Sequence, residues 1–382
     1  MTYIWEHKDW PLLTWDAATL LPLVSQARKS QGLLLAKVKN LGFELEGQAQ
    51  ADVLTEEVIK TSAIEGERLN RESVRSSVAR HLGLPEAGLA SETRSVDGLV
   101  EVLLDATGNY NKPLTSERLK GWQAALFPTG FSGFSKIRVG EWRGHAMRVV
   151  SGSVGREKVY FEAPPGEKVE KEMKRFLSWW NATLKTEEGL LRAGAAHFYF
   201  VAIHPFEDGN GRVARALTDM ALAQDENLRV RYYSFSSRIM QERESYYRIL
   251  ESTSKSKNTD ITGWLAWFLE CYKRAIDDSE KIIGQVLDKA RFWQIYGGLE
   301  LNERQRKVVN RMLDAGKGGF LGGLTTRKYV SMAKVSRATA FREISDMLAK
   351  KILHQLPGKG RSVHYDLAWP PETPEAKDNS KR

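Results

Sequence analysis

The sequence predicts a mainly α-helical protein with more than one core, ending in a winged helix-turn-helix, and three observations carry that prediction. Its 382 residues, at roughly 150 per domain, exceed what a single hydrophobic core normally spans. Apolar residues recur at helical spacing through most of the chain and alternate like a strand only in short stretches. The positive charge is also uneven. Lysine and arginine outnumber aspartate and glutamate 57 to 48, yet residues 1–298 hold 40 against 39, residues 299–370 hold 14 against 6, and residues 371–382 hold 3 against 3. The body is nearly neutral, and the module from 299 to 370 carries an excess suited to nucleic acid or an acidic partner.

Taken in order, Leu20, Leu23, Val24 and Ala27, then Leu34, Leu35, Val38 and Leu41, give helical spacing from Trp15 to Gly47, and a second helical stretch covers Val53 to Ile64. Residues 1–105 read as an N-terminal helical domain. LVEVLLDATGNY and, after the turn KPLTSE, ERLKGWQAALF continue the helical pattern until Pro128 and Gly130 stop it. A loop with Phe131, Gly133 and Phe134 follows. MRVVSG, the turn SVGRE and KVYFEAPP then form a hairpin, the clear one of the body. Helices resume from Lys168 to Leu184 and from Leu190 to Ile203, pause at HPFEDGNG, and continue from Arg212 to Ala223. Two further helical blocks, YYSFSSRIMQERESYYRILESTSK and ITGWLAWFLECYKRAIDDSEKIIGQVLDKARFWQIY, complete a core over residues 106–297. Residues 298–370 read as three helices (ERQRKVVNRMLDA, TTRKYVSMAKV, SRATAFREISDMLAKKIL) and two strands around the basic turn LPGKGRS, and residues 371–382 as a polar disordered tail.

Several function classes drop out. With 42% hydrophobic and 27% charged residues the chain is neither fibrous nor wholly disordered. Its longest apolar stretch, His197 to Phe206, is too short to cross a bilayer, and MTYIWEHKDWP has no secretory apolar region, so a cytoplasmic protein without membrane partners is expected. The single cysteine, Cys271, excludes an internal disulfide and a cysteine metal cluster, and packs in a helix core. GKGGFLGG lacks the spacing of a phosphate-binding P-loop, and His7, His81, His145, His354 and His364 lack metal-ligand spacing.

The dense chemistry lies in His204-Pro205-Phe206-Glu207-Asp208-Gly209-Asn210-Gly211-Arg212-Val213-Ala214-Arg215. Two glycines flanking Asn210 at the start of a helix free the backbone to turn consecutive N–H groups into an anion nest, where the helix dipole already favours negative charge. Arg212 and Arg215 share one face of that first turn, where cations oppose the dipole at about 0.3–1 kcal/mol each until a polyanion binds. Asp208 is a hard oxygen ligand suited to Mg²⁺ on phosphates, and His204 can take a proton near neutral pH.

This stretch matches HxFx(D/E)GNGRxxR at every specified position, and the chain resembles the Fic family of protein adenylyltransferases. YIWEHKDWPLLTWDAATLLPL and the terminal winged helix extend the likeness to a bacterial subgroup. The resemblance implies a Fic helical core with a β-hairpin flap, behind an N-terminal domain that carries an inhibitory helix. It implies that His204 is the general base for a Ser, Thr or Tyr hydroxyl of a target protein, which attacks the α-phosphate of ATP. It further implies that Asp208 holds Mg²⁺, that Gly209, Asn210 and Gly211 cradle the phosphates, that Arg212 and Arg215 take the β- and γ-phosphates, and that Phe206 anchors the loop. The hairpin from Met147 to Ala163 would be the flap that pairs with the target, and Tyr246 and Tyr247 lie where the family contacts adenine.

Upstream, Thr61-Ser62-Ala63-Ile64-Glu65-Gly66 matches the family's inhibitory pattern (S/T)xxxE(G/N), which implies that Glu65 competes for Arg215. Ser62-x-x-Glu65 also reads as a capping box, but the preceding LTEEVIKTSAI is already helical. At an effective dielectric near 20, an ion pair at about 4 Å is worth about 4 kcal/mol before desolvation. Removal of AMP at the same site, making the reaction reversible, stays open, as does a homodimer. A second reading from another class is a DNA-binding regulator that uses Arg337, Arg342, Lys359 and Arg361, with the Fic body as a sensing or interaction module.

Overall fold

The computed structural model describes residues 2–39, 43–84, 94–151, 158–357 and 363–370. Its packing separates two compact units, residues 1–280 and 281–382.

The first unit contains α1 (Ala17–Val38), α2 (Phe43–Ile64), α3 (Arg71–His81), α4 (Arg94–Gly108) and α5 (Ser116–Leu126), then β1 (Phe131–Ser132), β2 (Ser135–Lys136), β3 (Arg148–Ser151) and β4 (Lys158–Glu162). It continues with α6 (Gly166–Ala182), α7 (Gly189–Ile203), α8 (Asn210–Glu226), α9 (Phe235–Gln241), α10 (Arg243–Ser254) and the start of α11 (Thr262–Tyr296). Polar residues open many of these helices by satisfying first-turn amides. Asp16 accepts from the amides of Ala18 and Thr19, Asn70 from Ser73, Thr115 from Arg118, Glu188 from Leu191 and Ser234 from Ser237.

The centre of this unit is α7, buried along almost its whole length from Leu190 to Ile203, as expected of a helix apolar on every side. A six-residue connection returns the chain along it as α8, whose Val213, Ala214, Leu217 and Met220 are also fully buried. Around this pair lie α2, α4, α5 and α6. One polar side chain of this core is fully paired: His197 on α7 bonds Thr218 Oγ1 and Tyr246 Oη, each at 2.9 Å, and stacks on Trp264. Burial, helped by Arg215, holds this imidazole down to about 3 and therefore neutral.

The structure adjusts the expected elements in four places. The helix anticipated from Val53 begins at Phe43, and α3 is an additional helix. The block from Tyr232 to Lys255 is two helices broken at Glu242, which lacks helical dihedrals. Where a loop was read at Phe131–Phe134, β1 and β2 make a small hairpin, turned by Gly133 at φ 56°. The larger hairpin, β3 with β4, forms with a register shift between Val149 and Val150, and its turn SVGRE lies outside the described residues.

The second unit takes the last turns of α11, then α12 (Glu303–Ala315), α13 (Thr326–Ala333), α14 (Arg337–Ala349), β5 (Leu353–Gln355) and β6 (Tyr365–Leu367). Phe292, Val308, Met312, Leu324, Ile344 and Leu367 meet in its core. Leu324 bridges Tyr365, adding a third short strand segment beside β5 and β6. Lys359, Arg361 and the tail from 371 lie outside the described residues.

The tightest approach between helices has a simple test. A Cβ added to Gly98 on α4 would stand 1.9 Å from the carbonyl oxygen of Ala125 on α5. Gly98→Ala should destabilise by about 1–3 kcal/mol through overpacking, lowering the melting midpoint of this unit by several degrees. An unchanged midpoint in calorimetry would show that the two helices are not held this close.

Candidate active site

Where α7 ends, the residue that follows it turns left-handed: His204 sits at φ 50°, ψ 61°, a conformation that needs outside support in a residue with a side chain. Arg143 supplies it. This buried guanidinium donates to the carbonyls of His204 (2.6 Å), Ile203 (3.2 Å), His145 (2.6 Å) and Pro164 (2.6 Å), and the Arg143 amide donates to the Pro205 carbonyl at 2.9 Å. A cation thus closes the negative end of α7 and fixes the direction in which the imidazole leaves the backbone. Burial brings the Arg143 guanidinium down to about 10, still charged at neutral pH.

The loop beyond is braced from within. Asn210 accepts from the Phe206 amide (2.9 Å) and donates to the Phe206 carbonyl (2.8 Å), while the fully buried Phe206 ring packs on Trp142 at 4.8 Å. The Asn210 side chain is therefore committed to shaping the loop, and what it can offer an anion is its backbone amide. Glu207 accepts from the Arg138 amide at 2.9 Å.

His204 is half-buried, and its Nδ1 has no hydrogen-bond partner among the described residues. Desolvation and the nearby Arg143 charge bring the imidazole down to about 4, against the opposing pull of the Val201 carbonyl, Glu65 and Asp208. It is thus neutral at physiological pH and ready to accept a proton.

Beside it, α8 starts without a side-chain cap, behind Gly209 at φ +87°. A Cβ on Gly209 would lie 2.9 Å from the Phe127 ring, so conformation and space both require glycine there. Two arginines on the first two turns have unused donors: Arg212 Nε and Arg215 Nη1 are buried without a partner among the described residues. The Arg212 guanidinium lies over the Phe127 ring at 4.8 Å. Asp208 stands at the rim, accepting from the Gly209 amide and from the Ser132 hydroxyl of β1. Free helix-end amides, two guanidinium groups with idle N–H bonds and a hard carboxylate oxygen suit a phosphate chain carrying a divalent cation.

A carboxylate from α2 already occupies this cup. Glu65 Oε1 accepts from Arg215 Nη2 at 2.6 Å, and a Cβ on Gly211 would fall 2.1 Å from that same oxygen. Arg215 also donates Nε to Thr61 Oγ1 (2.6 Å) and Nη2 to the Thr61 carbonyl (3.0 Å). Although burial works to lower it, the Arg215 guanidinium is raised overall because Glu65, together with Tyr246 and Tyr247, outweighs the desolvation. Two residues on, Glu67 faces Arg212 at 3.6 Å. Ser62 is buried two residues before the end of α2, so Ser62-x-x-Glu65 caps no helix start, and Gly66 at φ +89° follows the end.

Other contacts lock this end of α2 in place. Its Ile64 carbonyl accepts from Arg243 Nε (2.9 Å) and Tyr247 Oη (3.3 Å), and Glu57 accepts from Ser234 Oγ (2.7 Å) and the Ser236 amide (3.1 Å). Of the two tyrosines expected near adenine, Tyr246 is buried to 2% exposure and committed to His197, whereas Tyr247 keeps an open face at 36%. Sequence reading missed Arg143, Ser132 and Glu67; the lone arginine in GEWRGH offered the one local hint, a cation amid glycine and aromatic residues.

Comparison with known proteins agrees with this geometry. Residues 113–222 match the Fic/DOC family model, and residues 3–84 match a domain of unknown function, DUF4172. The chain is 25% identical over 288 residues to the protein adenylyltransferase Fic of Nematostella vectensis, a match covering 68% of this chain and 61% of that protein. It is 33% identical over 138 residues to the protein of the same name from Culex quinquefasciatus, covering 35% of this chain and 26% of that one. The chain thus spans under two thirds of the length of these relatives. Its fold is similar to a crystal structure of a Fic family protein from Desulfovibrio desulfuricans G20, with a TM-score of 0.55 at 18% identity, covering 94% of this chain and 99% of that one.

The site's own electrostatics can be measured directly. In an NMR titration His204 should remain neutral well below its ordinary value of 6.5, with a midpoint near 4. Because the unfolded chain takes up this proton first, acidification from 6.5 toward 4 should erode stability. A midpoint near 6.5 would contradict the burial and the Arg143 contact.

Proposed function

We propose, for a chain that belongs to the Fic/DOC family, that it transfers AMP from ATP to a Ser, Thr or Tyr hydroxyl of a target protein and holds itself in check through Glu65. The observation that carries this reading is the anion cup at the start of α8, set beside a neutral imidazole and filled by a carboxylate from α2.

The chemistry follows from what each side chain can do. Arg212 and Arg215 have donors free for the outer phosphates, and the α8 amides can take a phosphate oxygen. Asp208 would hold Mg²⁺, which when bound neutralises phosphate charge and the pyrophosphate that leaves. His204 accepts the hydroxyl proton as the target oxygen bonds to the α-phosphorus and the bond to pyrophosphate breaks. Polyphosphate charge beside the imidazole raises its proton affinity from the low value set by burial and Arg143, bringing the base closer to neutral pH. The Arg143 clamp holds His204 for in-line attack, so positioning supplies much of the rate. The hairpin β3–β4 can offer backbone groups to an extended target segment.

Glu65 stands where a terminal phosphate would bind Arg215, so ATP enters without its productive grip. At 35% exposure for Glu65, solvent screens the pair to well under the value of a dry contact, which leaves it displaceable. Glu67 opposite Arg212 adds a second, weaker competitor, so both phosphate-binding arginines face carboxylates of the same short segment.

With labelled ATP, Glu65→Gly should raise automodification at least about tenfold, the effect of removing about 1.4 kcal/mol of competition. Adding Glu67→Ala should raise it by a smaller further factor. His204→Ala in the Glu65→Gly background should lower transfer by about 10²–10⁴-fold with ATP binding retained. Equal transfer with and without His204 would overturn the general-base role, and an unchanged rate in Glu65→Gly would overturn the inhibition.

A further inference from the structure

We infer that the outward face of the helix-turn-helix made by α13 and α14 binds duplex DNA through its phosphate backbone. The element order, α12, the bridge at Leu324, α13, α14, β5 and β6, is that of a winged helix, whose second turn-linked helix fits the major groove. Topology alone says nothing of a ligand, but the pairing of charges does.

The carboxylates of α14 are already paired, Glu343 inside the fold and Asp346 at its edge with 41% of its side chain exposed. Glu343, 4% exposed, accepts from Arg304, from Asn302 Nδ2 at 3.0 Å and from Tyr329 Oη at 2.6 Å. Asp346 accepts from Gln305 Nε2 at 2.8 Å and Lys350 Nζ at 2.7 Å. Arg327 on α13, Lys334 in the turn, and Arg337 and Arg342 on α14 are all exposed, and their side chains have no hydrogen-bond or ion-pair partner among the described residues. The inner set of charges is spent on the fold, and the outer set is unspent and of one sign. Across residues 299–370 the count is 14 cations against 6 anions, so no distant carboxylate cancels it.

The rest of this face fits a groove better than a protein surface. Protein interfaces are depleted of charge at their centres, whereas interfaces with DNA are strongly positive. Here Phe341 stands 65% exposed, one turn on from Arg337 and next to Arg342. A single aromatic ring ringed by cations is too little apolar surface for a protein hot spot, but suits contact with a thymine methyl. Ser336 and Ala338, both exposed, keep the start of α14 narrow enough for close approach.

The test is fluorescence anisotropy of the full chain with a labelled mixed-sequence duplex, between about 50 and 200 mM salt. Binding should weaken steeply as salt rises. The double variant Arg337→Ala/Arg342→Ala should bind about tenfold or more weaker, with the log–log salt slope reduced by about 2. Arg337→Lys/Arg342→Lys should keep most of the slope, which separates lost charge from lost folding. AMP transfer should be the same in parent and both variants. No duplex binding at the lowest salt overturns the proposal, including the outcome in which this face captures an acidic protein instead. So does an Ala variant with the parent's affinity and slope.

Discussion

A guanidinium with 1% of its side chain exposed must have its charge and its N–H groups answered inside the protein, and Arg215 is such a group. Its position on the second turn of α8, close to the helix start, makes the demand stronger, since free amides and the helix dipole add positive field near that end. The fold answers with Glu65, and α2 is placed to deliver it. Thr61 takes two more of the guanidinium's hydrogen bonds, Arg243 and Tyr247 hold the carbonyl that closes α2, and Glu57 fastens the same helix to the start of α9. An internal carboxylate and an external phosphate are alternative solutions to one electrostatic problem. On the proposed reading, catalysis and its restraint share a single residue.

The second constraint is the left-handed turn at His204. Strain at that position is offset by Arg143, which gathers carbonyls from both sides of the turn and from two remote loops. Burial, and after it the same cation, depress the imidazole's proton affinity, so the group that aims the imidazole also helps keep it unprotonated. A base this acidic is poor alone and improves when negative charge arrives beside it. On the proposed reading, substrate binding prepares the base as well as the phosphate.

Much of this was legible in the sequence because the decisive groups are local. His204 through Arg215 lie on one loop and one helical turn, and Thr61, Glu65 and Gly66 on another, so spacing preserves their relation. Arg143 and Ser132 act on that loop from far along the chain, and no periodicity connects them to it. Tyr246 and Tyr247 show the limit of adjacency: neighbours on one helix point to different surroundings, one to the His197 core and one to the end of α2. The early start of α2 was hidden because a short break, rather than a change of period, separates it from α1. Between residues 299 and 370 the three helices formed where their apolar spacing placed them, although the third, read through Leu353, ends at Ala349 and Leu353 begins β5. What each charge there touches was not legible.

The most direct measurement of the central claim is calorimetric binding of ATP and of AMP, each with Mg²⁺, to the parent and to Glu65→Gly. If Glu65 stands in for a terminal phosphate at Arg215, removing it should tighten ATP binding about tenfold or more and leave AMP, which has no such phosphate, unchanged. Equal ATP affinity in the two proteins, or an equal gain for AMP, would contradict it.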